Sequence, residues 1–329
     1  MRPRFLLLFA LPALIVTCVC AGTAVADGFA GAGDVVAKGR EVWTTNRAGV
    51  VGVQAASGER DLTVTTGSDG THVAAGDGLV WQLARRQLIA IDPWERRVRR
   101  RIGLHQAAYA LAAGYGAVWL PSTATDTLRK FDARTGRHRW SVPVGHSPSA
   151  VAVGAGSVWV ASLGGWHPGK GGVVVNDGPG VVTRVDPTTG SVLARIDVAR
   201  GATAVAVGDG AVWALGGRGV RAADVLDRID PRTNRVVAAI RVPHFPVAVA
   251  AGPRCVWVVS EPRSAGGVLT RISVRSGQVV SRRIPHSWVP AAVTAAGGRV
   301  WIADPGVAQL IAVDPETLHV TKRVAFSLS

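Results

Sequence analysis

Cysteine is scarce in this 329-residue chain: there are three, and Cys18 and Cys20 fall in an apolar stretch near its start. Cys255 alone cannot close an intramolecular disulfide, so stability must come from packing. It precedes Val256-Trp257 in an apolar strand, where a buried, inert thiol is expected rather than a nucleophile. Lysine is scarce too: Lys38, Lys130, Lys170 and Lys322 are the only ones among 37 basic residues. No Ser/His/Asp pattern is present, which argues against triad chemistry. Beyond residue 20 no apolar run approaches the roughly 20 residues that a membrane span needs.

The start of the chain reads as a targeting segment. Arg2 and Arg4 precede an apolar stretch from Phe5 to Cys20, and Ala24-Val25-Ala26 supplies small residues at a cleavage site. Residues 1–26 are therefore expected to be a signal peptide, followed by a small-residue linker over 27–33. The competing expectation is a lipid anchor on Cys18 or Cys20, which the large neighbours Thr17 and Val19 disfavour. Cleavage removes 26 residues, two of them arginines, and takes the formal charge from +15 to +13. The mature protein is expected to be secreted or to lie in the cell envelope, as a monomer. Its charge suits an acidic envelope polymer; a coding bias toward arginine is the competing source.

What is abundant is repetition. Val-Trp recurs at Trp43, Trp81, Trp119, Trp159, Trp213, Trp257 and Trp301, with spacings of 38, 38, 40, 54, 44 and 44 residues. Around it an apolar run, a Gly-x-Gly turn and a second apolar run read as a β-hairpin. The second half of each repeat carries an Asp-Pro-x-Thr-Gly type of turn, as at Asp92-Pro93, Asp132 to Gly136, Asp186 to Gly190, Asp230 to Asn234 and Asp314 to Thr317. Asp bonds the backbone ahead of it, and Gly or Asn accepts the left-handed closing conformation. Four antiparallel strands per repeat of about forty residues define an all-β, seven-bladed β-propeller with in-phase repeats. The blades are expected near 34–66, 71–103, 107–144, 148–199, 202–242, 246–285 and 290–326. Each repeat Trp is expected in the core between blades. With no spare strand at either end, ring closure is expected to rest on packing of the last blade against the first.

These hairpins and turns, with the link Pro143 to Val151, resemble the YVTN-repeat propellers of the YncE type and the related virginiamycin B lyase-like propellers. The resemblance implies the fold across the whole mature chain. The lyase activity would call for a Glu-x-His pair beside a magnesium site, which this chain lacks. Asp132 to Trp140 also resembles a docking repeat of quinoprotein dehydrogenases, but it occurs once and reads as a variant of the Asp-Pro turn.

Candidate chemistry gathers on the face formed by the loops between the second and third strands (b–c loops) and the links between blades. Extra length there is concentrated in blades 4, 5 and 6, where 27, 17 and 16 residues separate the Trp from the following turn. His105, His146, His244 and His286 precede their repeat Trp by 14, 13, 13 and 15 residues, and Arg200 holds the matching place in blade 5. His167 and Trp166 come from the long loop of blade 4. Such imidazoles can bind an anion, a metal ion or a partner at a channel mouth, with Asp126, Asp177, Asp224, Glu261 and Asp304 as acidic companions. His72, His138 and His319 lack this register and are expected to be solvated. Trp94, Trp140 and Trp288 lie outside the series and are expected to be free for contacts. Gly164 to Gly171 nearly spells a phosphate-binding loop, but no hydroxyl follows Lys170 and no helix follows the loop. Arg96, Arg97, Arg99, Arg100 and Arg101, with Arg282 and Arg283, lie on outer strands, where they guard sheet edges or offer a polyanion-binding rim.

The sequence is thus read as an exported, non-enzymatic propeller binding a ligand or partner at its b–c loop face, with no cofactor. A metal-assisted lyase or hydrolase at that face, using a divalent metal, is the alternative. A polyanion-binding envelope protein is the second alternative.

Overall fold

The computed structural model describes residues 34–46, 48–84, 86–164, 166–168, 174–176, 179–216, 224–261, 266–287 and 289–326. Seven four-stranded antiparallel sheets follow one another along the chain, each in simple a-b-c-d order. Blade 1 is Val35–Lys38, Glu41–Thr45, Gly49–Gln54 and Arg60–Thr65; blade 2 is His72–Gly76, Leu79–Ala84, Gln87–Asp92 and Arg97–Gly103. Blade 3 is Ala112–Gly114, Ala117–Ser122, Thr127–Asp132 and His138–Pro143; blade 4 is Pro148–Gly154, Ser157–Ser162, Pro179–Val185 and Val192–Arg200. Blade 5 is Ala204–Gly208, Ala211–Gly216, Val225–Asp230 and Arg235–Arg241; blade 6 is Pro246–Ala251, Cys255–Ser260, Val268–Ser273 and Val279–Arg283. Blade 7 is Ala292–Ala296, Arg299–Asp304, Gln309–Val313 and Val320–Ala325. A small hairpin, Trp166–Pro168 with Val174–Asn176, rides in the b–c loop of blade 4. Each strand a touches the strand a of the next blade, and that of blade 7 returns to that of blade 1, so the ring closes.

Val and Trp alternate between the two faces of strand b, and both are buried because each face packs on a neighbouring blade. The seven repeat tryptophans are 0–3 % exposed. Trp43 packs among Val73, Val80 and Ile89 of blade 2, and Trp159 and Trp213 meet the next blade in the same way. Each buries about 150–250 Å², an upper bound of about 4–6 kcal/mol at about 25 cal/mol per Å². Trp119, Trp159 and Trp213 also donate Nε1–H to Gly114, Gly154 and Gly208 carbonyls at 3.0, 3.0 and 3.4 Å.

Directly opposite Trp on strand c stands a basic residue in blades 3 to 6, and in blades 3, 4 and 6 it serves as a staple between blades. Lys130 and Arg184 stack on Trp119 and Trp159 at 5.3 and 5.0 Å. Lys130 Nζ then donates to the Pro187 carbonyl at 2.6 Å, Arg184 Nη1 to Pro231 at 2.7 Å and Arg271 Nη1 to Pro315 at 2.9 Å. In every case the acceptor belongs to the Asp-Pro turn of the next blade. Blades 2 and 7 carry Ala90 and Ala312 at this position, and the strand-d residue paired with each supplies the cation instead. Arg100 donates to the Thr135 and Arg134 carbonyls, and Lys322 to Ser57 at 2.8 Å. A second series points backward: Arg101 donates to Thr66 at 2.6 Å, Arg195 to Pro143 at 3.4 Å and Arg323 to Pro285.

These bonds give several outer arginines a role within the ring as well. Arg97 pairs with Glu95, Arg99 with Asp92 and Glu95, and Arg100, Arg101 and Arg282 donate to neighbouring-blade carbonyls. A guanidinium with several rigid donors can hold two blades together without a carboxylate partner, and it keeps its charge while doing so. Trp140 is likewise not free: it packs 5.6 Å from Trp119 with Lys130 over its ring. Trp94, in contrast, is 87 % exposed at the tip of its turn. Trp288 lies outside the described residues.

Closure between blades 7 and 1 needs no shared strand. Trp301 clusters with Val35, Val42, Val51 and Val53, Arg299 Nε donates to Ala56 at 2.9 Å, and Arg60 stacks 5.1 Å from Phe326. Among the described residues no helix is long and apolar enough to cross a membrane.

Candidate functional site

On the b–c loop face a backbone bond closes six of the seven blades among the described residues and fixes a common register. The N–H after strand d donates to the residue before strand c: Thr66 to Ala48, Leu104 to Arg86, Val144 to Asp126, Val242 to Asp224, Ile284 to Gly267 and Phe326 to Ala308, at 2.7–3.0 Å. Two residues beyond the donor stand His146, His244 and His286, but in blade 2 that place belongs to Gln106. His105 is thus one residue out of register, because links differ in length and counting back from Trp does not align them.

Only Asp126 and Asp224 among these acceptor residues bear a carboxylate, and each captures the histidine of its own blade. His146 Nδ1 lies 2.7 Å from Asp126 Oδ2, and His244 Nδ1 lies 2.7 Å from Asp224 Oδ2. The same carboxylates accept the next N–H, from Ser147 at 2.8 Å and from Phe245. Ser147 and Phe245 adopt left-handed φ of 54° and 56°, which the carboxylate helps to hold. In the tautomer that donates Nδ1–H to the carboxylate, Nε2 is left as the acceptor. The rings face solvent, with side chains 57 % and 82 % exposed for His146 and His244, whereas the Asp224 side chain is only 4 % exposed. Burial raises the Asp224 carboxyl above its ordinary value against the opposing pull of His244.

The remaining candidates divide. His286 has left-handed φ and is exposed, but Gly267 replaces the carboxylate that would hold its ring. Asp304 is fully buried and accepts bonds from Ser287 Oγ, from Val289 N–H at 3.1 Å and from Gly306 N–H at 3.0 Å. It caps the short 3₁₀ turn Pro305–Val307 and is structural. Glu261 donates its N–H to Phe245 beside the His244 pair. Asp177 lies outside the described residues, as do the side chains of Trp166, His167 and Arg200. The imidazoles are held blade by blade: among the described residues no three His, Cys, Asp or Glu groups come together as a metal-binding cluster.

Two polar groups escaped sequence reasoning. His72 was expected in solvent but is 7 % exposed, at the start of the innermost strand of blade 2 with Nδ1 3.0 Å from Thr71 Oγ1. Asp34, in the matching place of blade 1, is buried and accepts N–H bonds from Val35 at 2.8 Å and from Val73 of blade 2 at 3.0 Å. Its desolvation outweighs those bonds and pushes the carboxyl up to about 7. The signal was a polar residue where five other blades carry Ala. Cys255 is a half-buried free thiol raised by burial, as an unreactive cysteine should be.

The chain is a seven-bladed β-propeller, and its likeness to known proteins is one of fold. No protein-family model matches it, and no curated protein matches its sequence. Hydrazine synthase from Kuenenia stuttgartiensis is 14 % identical with TM-score 0.64, over 78 % of this chain and 86 % of that one. The WD40 domain of Pan2 from Neurospora crassa is 14 % identical with TM-score 0.62, over 88 % and 91 %. BamB from Moraxella catarrhalis is 14 % identical with TM-score 0.54, over 83 % and 81 %.

Proposed function

We propose that this chain is an exported, non-enzymatic propeller of the YVTN/YncE type, related to the virginiamycin B lyase-like propellers, that binds a ligand or partner at its b–c loop face. The observation that carries this reading is the pair of carboxylate-anchored imidazoles at equivalent places in blades 3 and 5. An exposed histidine with Nδ1 fixed and Nε2 outward is a preorganised acceptor, and the anchoring leaves little rotamer freedom to lose on binding. Propellers such as these present binding surfaces on loops while a rigid ring positions them. Export rests on Arg2, Arg4 and the apolar stretch to Cys20, ending at Ala26.

The same anchoring supports the enzyme alternative in one respect, since an oriented imidazole is also how a general base is built. Calorimetry with zinc and nickel ions above and below pH about 6.5, where free imidazole titrates, tests the binding reading. Binding that is stronger at the higher pH and lost in His146→Ala and His244→Ala supports it. Wild type that takes up neither ion, or binds equally well in both variants, overturns the role of these side chains.

A further inference from the structure

Six of the seven blade junctions carry a cation that donates to a turn carbonyl of the next blade, and the seventh has the cation without an acceptor among the described residues. Arg228 stacks 5.5 Å from Trp213, as Arg184 stacks on Trp159. Blade 6, however, carries Ser273 and Val274 in place of the Asp-Pro pair, and among the described residues no hydrogen bond joins Arg228 to that turn. Among the described residues no hydrogen-bond acceptor meets the Arg228 guanidinium. It lines a cleft of about 880 Å³ on the turn face of blade 5, together with Arg184, Asp209, Asp230, Pro231 and Arg232.

We propose that this cleft is an anion-binding site in which Arg228 and Arg232 receive a small oxyanion, a carboxylate or phosphate group, on the face opposite the histidines. Arg184 is already committed to Pro231, Asn234 Oδ1 and Ser157 Oγ, so it sets the wall rather than the charge. Arg228 is different: its guanidinium rests 5.5 Å from the centre of the Trp213 ring, no acceptor meets it among the described residues and it is half-buried, so it offers the kind of fork that oxyanions engage bidentately. Asp230 has one carboxylate oxygen tied to Arg232 N–H at 2.8 Å. Asp209 and Asp230 leave the cleft with a modest positive balance, which favours a ligand carrying one anionic group over a polyanion.

The test is calorimetry with inorganic phosphate and, separately, succinate, on wild type, Arg228→Gln and the His146→Ala, His244→Ala double variant, together with the Arg228 Nε–Hε resonance in the wild type. The expected result is binding that is weakened about tenfold or more in Arg228→Gln, unchanged in the histidine double variant, and accompanied by a shift of that resonance. Preference for phosphate or for succinate identifies the class of ligand. Wild type without binding or resonance shift, or Arg228→Gln binding as wild type does, overturns the proposal. Loss only in the histidine variant places the anion on the loop face and also overturns it. Should Arg228→Gln fail to fold, the resonance in the wild type decides alone.

Discussion

Aspartates on the two faces of the ring behave in opposite ways. On the turn face, Asp92, Asp186 and Asp314 are held below the ordinary carboxyl range chiefly by N–H groups of their own turns, and Asp132 chiefly by Arg139. On the loop face Asp34 and Asp224 are raised, and burial is the leading cause in both. The turn-face carboxylates are part of how each turn closes, and staples from the preceding blade end on the turns of Asp132, Asp186 and Asp314. Asp34 and Asp224 sit in a drier setting and hold polar groups that no repeat rule requires. One face is built for assembly; the other spends stability on polar groups placed at particular blades.

The largest expected effect lies in the layer joining the blades. Trp213→Ala should destabilise by about 3–5 kcal/mol, because the ring loses contact with Val249, Val256 and Ile272 of blade 6 and leaves a cavity. Chemical denaturation checks it, and a loss below 1 kcal/mol would mean that the tryptophans are not what joins the blades. Next come the staples. Arg184→Met should cost about 1.5–3 kcal/mol through its charged bonds to the blade-5 turn, and Arg228→Met, which has no acceptor to lose, should cost clearly less. Equal losses in the two would break the distinction between a spent and an unspent cation.

The repeat made the tryptophans and turns legible, because both recur with one spacing and one chemistry. The staples were also written there, as a basic residue, an apolar residue and Asp in Lys130-Phe131-Asp132 and Arg184-Val185-Asp186, with Arg228-Ile229-Asp230 repeating the pattern without the bond. Charge was instead read as surface, since a sequence does not show that strand c places that residue across from Trp. His146 with Asp126, and His244 with Asp224, were legible as candidates but not as pairs. Their pairing depends on which residue precedes strand c, and that register is set by a backbone bond rather than by distance from Trp. The same cause misplaced His105, and burial at the head of strand a hid His72.

A smaller effect, of opposite sign on the two faces, should appear with pH. A carboxyl raised in the folded state binds protons more tightly there than when unfolded, so its contribution is fully present below the unfolded value near 4 and is lost as pH rises toward about 7. The depressed turn-face carboxyls contribute above that unfolded value, and their contribution is lost as pH falls through their lower folded values. Asp34→Asn should therefore flatten the decline in stability between about pH 4 and 7 while leaving the acid limb intact. A decline unchanged in that variant would mean that Asp34 is ionised throughout this range.

The smallest effect on stability should be the most informative about function. His244 is exposed and makes one bond through Nδ1, to a carboxylate that keeps its second bond, to Phe245, without it. His244→Ala should therefore shift stability by no more than about 0.5 kcal/mol. Asp224→Ala should cost about 1–3 kcal/mol, because the Phe245 N–H loses its acceptor while the residue stays in a left-handed conformation. If both variants lose metal-ion binding while only the second loses stability, the carboxylate serves the ring fold and the imidazole serves the ligand. Equal destabilisation by both would instead make the pair a structural clasp, and the loop face would then hold its blades together by the same logic as the turn face.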